Sequence, residues 1–224
     1  MTGDSTGRPA CARCLRPLPT CLCTAVRTIT PAVQVLILMH PLEQHQAKGT
    51  ARLLHLCLPG SRLLVGEAFA PDALAQALTA PWCEADRQVP RHALLLYPDT
   101  PGDARCTTPP ALAQEWLAHP DRLRLVVLDG TWRKSRRMLW SNPALQALPR
   151  LALRDPPPSR YFIRKSHAPH QLSTLEATQL ALEQLEPGNP GIAALGAAMQ
   201  AYMAQQRAWW PQTRRAMLSH HDDQ

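Results

Sequence analysis

The feature that most constrains the fold is an unbroken apolar run at residues 125–128, Leu-Val-Val-Leu, which ends at Asp129. A strand without polar alternation is typical of a parallel sheet that is buried on both faces. The next two residues, Gly130 and Thr131, favour a turn and the N-cap of a helix. The run therefore predicts a central strand that carries a carboxylate to the carboxyl end of the sheet, where open α/β sheets bind ligands.

A basic helix is predicted directly behind this turn. Its cations fall within about 160° of arc at about 100° per residue, and Trp132, Met138 and Leu139 point the other way. These cations are Arg133, Lys134, Arg136 and Arg137. The helix can hold a polyanion beside a small ligand. A charge run is often only a solvated face, and Asp129 can simply close the turn, so the local chemistry leaves both interpretations open.

The rest of the chain alternates strands and helices, which predicts an α/β fold with a mostly parallel sheet and helices on both faces. Besides the strand that ends at Asp129, strands are predicted at residues 33–39, 62–66, 92–97 and 150–154. Helices are predicted from the His40 corner to residue 58, at 72–78, from Thr108 to 118, behind Ser173 to 186, and at 192–209. With 224 residues, of which 45% are apolar, the chain can form one such domain with a small appendage.

Positive charge is concentrated in one part of the chain. The net charge is +7, and residues 122–165 contain eleven basic residues against two acidic ones. A local basic field on a nearly neutral body favours nucleic acid as a partner. The polar first residues and the lack of an apolar run of about 18 residues argue against a secretory signal and a membrane span. We therefore expect a cytoplasmic protein that does not enter a membrane.

Four of the seven cysteines are crowded into 13 residues, at Cys11, Cys14, Cys21 and Cys23. Four soft thiolates select zinc in a closed, structural, tetrahedral site, and the odd total suits a reducing compartment. A redox pair or the remnant of a lost site is the alternative. The sequence thus predicts a zinc knuckle at residues 1–30, a main catalytic domain at 31–210 and a flexible tail at 211–224.

Common ligand-binding motifs are missing from the sequence. There is no Gly-x-Gly-x-x-Gly fingerprint, no Gly-x-x-x-x-Gly-Lys phosphate loop, no Gly-x-Ser-x-Gly elbow and no His-Glu-x-x-His. Three loops at strand or helix ends remain as candidates: residues 97–98, 129–132 and 172–174.

The Asp-Gly-Thr-Trp sequence at residues 129–132 resembles the motif that names the DTW-domain family, the tRNA-uridine aminocarboxypropyltransferases. Further blocks match this family in the same order. They are the four-cysteine cluster, His40-Pro41-x-Glu43, Leu96-Tyr97-Pro98, Tyr161-x-Ile163-Arg164-Lys165 and Leu172-Ser-Thr-Leu-Glu-Ala177. Residues 48–52 read Lys-Gly-Thr-Ala-Arg, which departs from the Asn-Thr-Gly-Arg type of sequence expected there.

The resemblance implies a SPOUT-like knotted fold that binds S-adenosylmethionine (SAM). It also implies transfer of the 3-amino-3-carboxypropyl group of SAM to N3 of a uridine in tRNA, with methylthioadenosine as the other product. The residues expected to bind SAM are Tyr97, Pro98, Leu128, Asp129, Thr131, Leu172, Ser173 and Thr174. The residues expected to bind tRNA phosphates are Arg133, Lys134, Arg136, Arg137, Arg164 and Lys165. The protein is expected to be a monomer or a homodimer.

Asp129 is the only acid of the motif, so it is the candidate that takes the N3 proton or orients the uridine. Ser173 and Thr174, at a helix N-terminus, can bind the carboxylate of SAM, although Ser173 and Glu176 also have the spacing of a capping box.

Aromatic side chains can stack on a splayed base, but core packing is the expected role of Trp132, Trp140 and Tyr161. His40 and Glu43, at another strand end, can line the pocket. Three rival functions remain. They are a SPOUT-type RNA methyltransferase, the same transfer to ribosomal RNA, and a non-catalytic zinc-containing RNA-binding protein.

Overall fold

The computed structural model describes residues 9–100, 102–161 and 172–219 of the chain. Within them a five-stranded sheet has the strand order β2-β1-β4-β3-β5, and every pair of neighbours is parallel. The strands are β1 (Gln34–Met39), β2 (Arg62–Val65), β3 (His92–Leu96), β4 (Leu123–Asp129) and β5 (Arg150–Leu151). The predicted parallel sheet is confirmed, and the strand that ends at Asp129 is its centre.

Helices cover both faces of this sheet, as predicted. They are α1 (Ala51–Cys57), α2 (Pro71–Thr79), α3 (Glu84–Gln88), α4 (Trp132–Ser141), α5 (Pro143–Gln146), α6 (Thr174–Leu185) and α7 (Ala193–Ser219). One apolar core lies between the sheet and helices α1, α6 and α7, and a second lies between the sheet and α2, α4 and α5. None of the described helices has the length and apolar character that crossing a bilayer requires.

The two cores explain why β4 lacks polar alternation. Val127 belongs to the first core and its neighbour Val126 to the second, because successive side chains of a strand point to opposite faces. Every residue of β4 except Leu128 is buried. Polar groups on this strand therefore lie near its two ends, at Arg124 and Asp129.

Arg124, at the amino end of β4, has no exposed surface. Its guanidinium donates to the carbonyls of three residues at the end of α2, with distances of 2.7 to 3.1 Å, and to Gln34 Oε1 at 2.9 Å. The Asp86 carboxylate lies 3.7 Å away, and the Trp82 ring stacks on the guanidinium at 4.2 Å. Arg124 therefore joins α2, β1 and α3, and it is not part of a surface basic field.

Asp86 is the acidic centre of this cluster. It accepts hydrogen bonds from Gln34 Nε2 at 2.7 Å, the Trp82 amide at 2.8 Å and Arg91 Nε at 2.8 Å. Burial alone raises the pKa of Asp86, but these hydrogen bonds, that of Arg91 first, outweigh it and hold the pKa well below its usual range.

Several predicted element boundaries are wrong. Residues 107–113 have no regular structure, and a short 3₁₀ turn, Gln114–Ala118, replaces the helix predicted from Thr108. The reason is that Pro109 and Pro110 disfavour the helical conformation of the residues before them, and the Thr107 amide donates to Gln146 Oε1 at 2.9 Å instead.

Helix α1 begins at Ala51 and not at the His40 corner, where only a 3₁₀ turn, Pro41–Glu43, forms. The loop before α1 is held from outside, because Arg16 donates to the carbonyls of Gln46, Ala47 and Gly49. These contacts fix the loop in a path that is not helical, so the helix starts only after it.

Two further differences concern element lengths. The strand predicted at residues 150–154 is confined to Arg150–Leu151, where its pairing with β3 ends. Helix α7 was predicted to end at residue 209 but continues to Ser219. Pro211 lies within it and removes one backbone donor without ending the helix. The short helix α3 has no counterpart among the predictions.

We predict that Asp86→Asn lowers the free energy of unfolding by about 3 kcal/mol, because it removes the charge that compensates the buried Arg124. The depressed pKa of Asp86 adds stability above the unfolded-state pKa of about 4, which is lost as the pH falls below it. Urea titrations between pH 3 and 7 measure both effects, and the variant should show the smaller loss of stability at low pH. Glu84→Gln, in an exposed ion pair with Arg87, is the matched control. Equal stability of Asp86→Asn and wild type would contradict this account.

Candidate functional site

Asp129 and Thr174 form the centre of the candidate site. Asp129 is 4% exposed at the carboxyl end of β4, and Thr174 is the first residue of α6. The Thr174 hydroxyl donates to Asp129 Oδ1 at 2.6 Å, while the Asp129 carbonyl accepts from the His40 amide at 2.9 Å. The fold thus brings together three motifs that are far apart in the sequence.

The turn after Asp129 is packed closely. A Cβ on Gly130 would lie 3.0 Å from the Lys134 side chain and 3.7 Å from that of His40, so the close approach of α4 to the β1 corner favours glycine. Thr131 is the N-cap of α4 and accepts from the Lys134 amide at 3.4 Å. The predicted cap is confirmed, and the Thr131 hydroxyl is partly used for it.

Tyr97 lies at the end of β3, next to β4, and is buried. Its ring stacks on Trp132 with centroids 5.2 Å apart. Burial raises the pKa of the Tyr97 hydroxyl. This hydroxyl lies near Ser135 but has no hydrogen-bond partner at normal distance among the described residues.

Trp132 is 49% exposed, so the expectation that it packs into the core is wrong. Tyr97 already fills the interior beneath it, and the first turn of α4 carries the indole over the sheet edge. Tyr161, by contrast, is buried and donates to the Lys48 carbonyl at 2.7 Å. Trp140 is half-buried between Arg105 and Arg136.

The N-terminus of α6 is occupied by protein groups. Ser173 and Glu176 form the predicted capping box, in which Ser173 Oγ accepts from the Glu176 amide and Glu176 Oε2 accepts from the Ser173 amide. Glu176 also accepts from Ser159 and the Arg160 amide, and the Leu175 amide donates to a threonine hydroxyl of the α1 cap. Most donors of this helix end therefore already have partners.

The other predicted SAM residues lie along the same edge of the sheet or at the start of α6. Pro98 is exposed, and Leu128 and Leu172 are half-buried.

The basic helix α4 is partly neutralised by acidic residues from other loops. Lys134 Nζ lies 2.7 Å from Glu43 Oε1, Arg137 Nε lies 2.7 Å from Glu67 Oε1, and Arg136 lies 3.3 Å from Asp103. Arg133 is exposed. These ion pairs could not be predicted from the sequence, because each acid lies at least 30 positions before its partner.

Arg164 and Lys165, the remaining predicted tRNA contacts, lie outside the described residues.

His40 and Glu67 connect this helix to the corner after β1. His40 Nδ1 accepts from the Leu42 amide at 3.1 Å, so the proton lies on Nε2, which donates to Glu67 Oε2 at 2.9 Å. This hydrogen bond and that from Arg137 lower the pKa of Glu67. Glu67 was missed from the sequence, although its place just after β2 marks it as a residue of the carboxyl edge.

The four predicted metal ligands are brought together. The sulfur atoms of Cys11, Cys14, Cys21 and Cys23 all lie within 4.8 Å of one another. The Leu22 amide donates to Cys14 Sγ at 3.5 Å. The amides of Cys14 and Arg13 lower the pKa of Cys11 to about 6, whereas burial and the neighbouring thiols raise the pKa of Cys23 to about 12. Such N–H donors stabilise thiolates, the form that binds metals. The cluster could therefore hold a metal ion.

A cavity of about 370 Å³ lies between this cluster and residues 43–52. Cys14 and Glu43 line it, but none of the residues predicted to bind SAM does.

Comparison with known proteins gives consistent results. A sequence profile of the family described as DTW domain matches residues 8–207. The tRNA-uridine aminocarboxypropyltransferase 2 of Mus musculus is 30% identical over 186 residues, which cover 81% of this chain and 58% of the relative. The protein of the same name from Drosophila melanogaster is 32% identical over 187 residues, 80% of this chain and 67% of the relative.

A plant relative, tRNA-uridine aminocarboxypropyltransferase A of Arabidopsis thaliana, is 29% identical over 145 residues, 59% of this chain and 50% of the relative. The chain thus spans only part of the length of these relatives, about 58% for the mouse protein. No solved structure matches the chain significantly.

We predict that Thr174→Val lowers the free energy of unfolding by about 1.5–3 kcal/mol, because a buried carboxylate loses a hydrogen-bond donor. Thr174→Ser, which keeps the hydroxyl, should cost less than about 1 kcal/mol. Urea denaturation followed by circular dichroism measures both variants. If valine and serine have the same effect, the bond to Asp129 does not stabilise the fold.

Proposed function

The chain belongs to the DTW-domain family, and on this premise we propose that it is a tRNA-uridine aminocarboxypropyltransferase. The reaction moves the 3-amino-3-carboxypropyl group of SAM to N3 of a uridine in tRNA and releases methylthioadenosine. Support comes from relatives that carry this name and align with four fifths of the chain.

The structural observation that carries the proposal is the 2.6 Å hydrogen bond between Thr174 and Asp129. It joins the Asp-Gly-Thr-Trp motif to the block at the start of α6, at the edge where parallel α/β sheets bind ligands. A buried acid that is held by a hydrogen bond can act as a proton acceptor with fixed geometry.

The residues at this edge fit SAM. Leu128 and Leu172 are half-buried and offer apolar surface to a purine. The buried Tyr97 hydroxyl has no hydrogen-bond partner among the described residues, so it can serve a polar group of the ligand. Thr131 and Thr174 bring hydroxyl groups to the same edge.

In the proposed reaction the donor supplies a carbon bound to a sulfonium, which is a good leaving group. Asp129 accepts the N3 proton of the uridine or holds the uridine so that N3 faces this carbon. The new bond joins N3 to carbon while the C–S bond breaks, and its electron pair stays on sulfur. Holding the two reactants in line supplies much of the rate.

The RNA side of the site includes α4 and Trp132. Arg133 is exposed, and Trp132 offers a half-exposed ring to an unstacked base. The cations of α4 meet phosphates from positions that are already fixed by Glu43, Glu67 and Asp103. Such contacts position tRNA without reading its sequence.

The four-cysteine cluster suits zinc. Four thiolates in a compact group select this metal and leave no open position for a substrate, so we assign the ion a structural role. Leu22 and Ala25, which are part of this region, pack into the first apolar core, which connects the metal site to the stability of the main domain.

The first test uses unmodified tRNA and SAM labelled on either the carboxyl carbon or the methyl group. We expect only the carboxyl label to enter RNA, with methylthioadenosine formed in equal amount. Asp129→Asn should lower turnover by about 10²–10⁴-fold and leave tRNA affinity unchanged.

Each rival function predicts a different result. Transfer of only the methyl label would identify a methyltransferase. In a parallel assay with ribosomal RNA, carboxyl label that enters this RNA and not tRNA would identify a different substrate. tRNA binding without SAM binding or turnover would favour a non-catalytic RNA-binding protein.

We predict about one zinc ion per chain, measured by elemental analysis of purified protein. Cys21→Ser should lose the ion and lower the melting temperature by roughly 4–8 °C, which corresponds to about 2 kcal/mol in a chain of this size. Cys83→Ser, at an exposed cysteine outside the cluster, is the control and should keep the zinc. A metal-free wild type of unchanged activity and stability would contradict the assignment.

A further inference from the structure

Arg150, at the start of β5, is buried, and its guanidinium has no hydrogen-bond acceptor among the described residues. Its exposed fraction is 7%, and among the described residues Nε, Nη1 and Nη2 have no hydrogen-bond acceptor. Burial lowers the pKa of its guanidinium. A buried cation without hydrogen-bond acceptors destabilises a fold, so a buried arginine of this kind indicates a ligand or a functional role.

The contrast with Arg124 shows that this fold satisfies a buried arginine where the role is structural. Arg124 donates to four oxygen acceptors and lies beside Asp86. Around Arg150 the groups that act electrostatically are Cys106, Tyr97 and Asp99. Asp99 is exposed and forms no ion pair with Arg150 among the described residues.

Arg150 lies next to the proposed SAM site. It is in register with Leu95 of β3, two residues before Tyr97, so the side chains of Arg150 and Tyr97 lie on the same face of the sheet. The guanidinium carbon is 5.2 Å from the centroid of the Tyr97 ring. The guanidinium of Arg150 and the hydroxyl of Tyr97 thus lie on neighbouring side chains, and neither has a hydrogen-bond partner among the described residues.

A planar guanidinium with free donors is suited to a carboxylate, which it can bind through two parallel hydrogen bonds. In the proposed reaction the transferred group itself carries a carboxylate. The alternative binding place, the N-terminus of α6, already holds the Glu176 carboxylate on the Ser173 amide, and a second anion there would be repelled.

We propose that Arg150 binds the carboxylate of the 3-amino-3-carboxypropyl group of SAM. This inference rests on the proposed function and adds a specificity residue to it. A group held by its carboxylate has a fixed orientation relative to Asp129, so Arg150 favours attack at the aminocarboxypropyl carbon over attack at the methyl carbon.

The test measures binding and not turnover. Isothermal titration calorimetry compares S-adenosylhomocysteine with its decarboxylated analogue, which keeps the adenosine and the ammonium group. Wild type should bind the carboxylate-bearing ligand more tightly. Arg150→Gln should weaken S-adenosylhomocysteine by about 30-fold or more and change the affinity for the analogue by less than about threefold. Arg105→Gln, at a nearby exposed arginine over Trp140, should change neither.

Arg150→Lys keeps the charge and loses the fork, so its preference for the carboxylate should lie between those of wild type and Arg150→Gln. It also provides a folded variant if glutamine impairs folding. Equal weakening of both ligands by Arg150→Gln would show a structural role and overturn the inference. Unchanged binding of both, or a loss confined to tRNA, would overturn it as well. If wild type binds neither ligand, the proposed function fails together with the inference.

Discussion

The rest of the structure depends on the burial of β4 on both faces. Because its neighbours β1 and β3 run parallel to it and two apolar cores cover it, polar groups can be accommodated only near its ends. Arg124 lies near one end and Asp129 at the other. The parallel direction of the strands then brings His40, Tyr97 and Asp129 to one edge, so the same constraint that builds the core also builds the site.

Buried charged residues at the two ends of the sheet differ in whether they have hydrogen-bond partners. At the amino end, Arg124, Arg91, Asp86 and Gln34 satisfy one another, which is the expected arrangement when a buried charge only supports the fold. At the carboxyl end, Asp129 is connected to α6 by Thr174, whereas Arg150 lacks an acceptor among the described residues. The carboxyl end therefore contains one fixed hydrogen bond and one buried guanidinium for which we propose a ligand.

Features with local causes were predictable from the sequence. The apolar run of β4, the Thr131 cap and the Ser173–Glu176 capping box each depend on residues within a few positions, and all three form as predicted. The late start of α1 depends on a distant group, Arg16. The irregular chain after Thr107 has a local cause in its two prolines and a distant one in Gln146. The exposure of Trp132 could not be predicted either, because Tyr97 takes its place in the interior. For Arg150, no sequence pattern indicates that the side chain is buried.

The charges of α4 also depend on residues that are distant in the sequence, and they affect the proposed binding of RNA. The basic segment at residues 122–165 includes Arg124 and Arg150, which are buried, while three cations of α4 have acidic partners. The surface field is therefore weaker than the sequence count implies. Each ion pair has no net charge, so it attracts a distant phosphate less strongly than a lone cation would. Because the pair also holds the cation in place, a phosphate that binds there loses less conformational entropy. The proposed binding of tRNA to this helix should accordingly depend on the shape of the RNA at Trp132 as well as on charge, which is consistent with the proposal that one uridine lies next to Asp129.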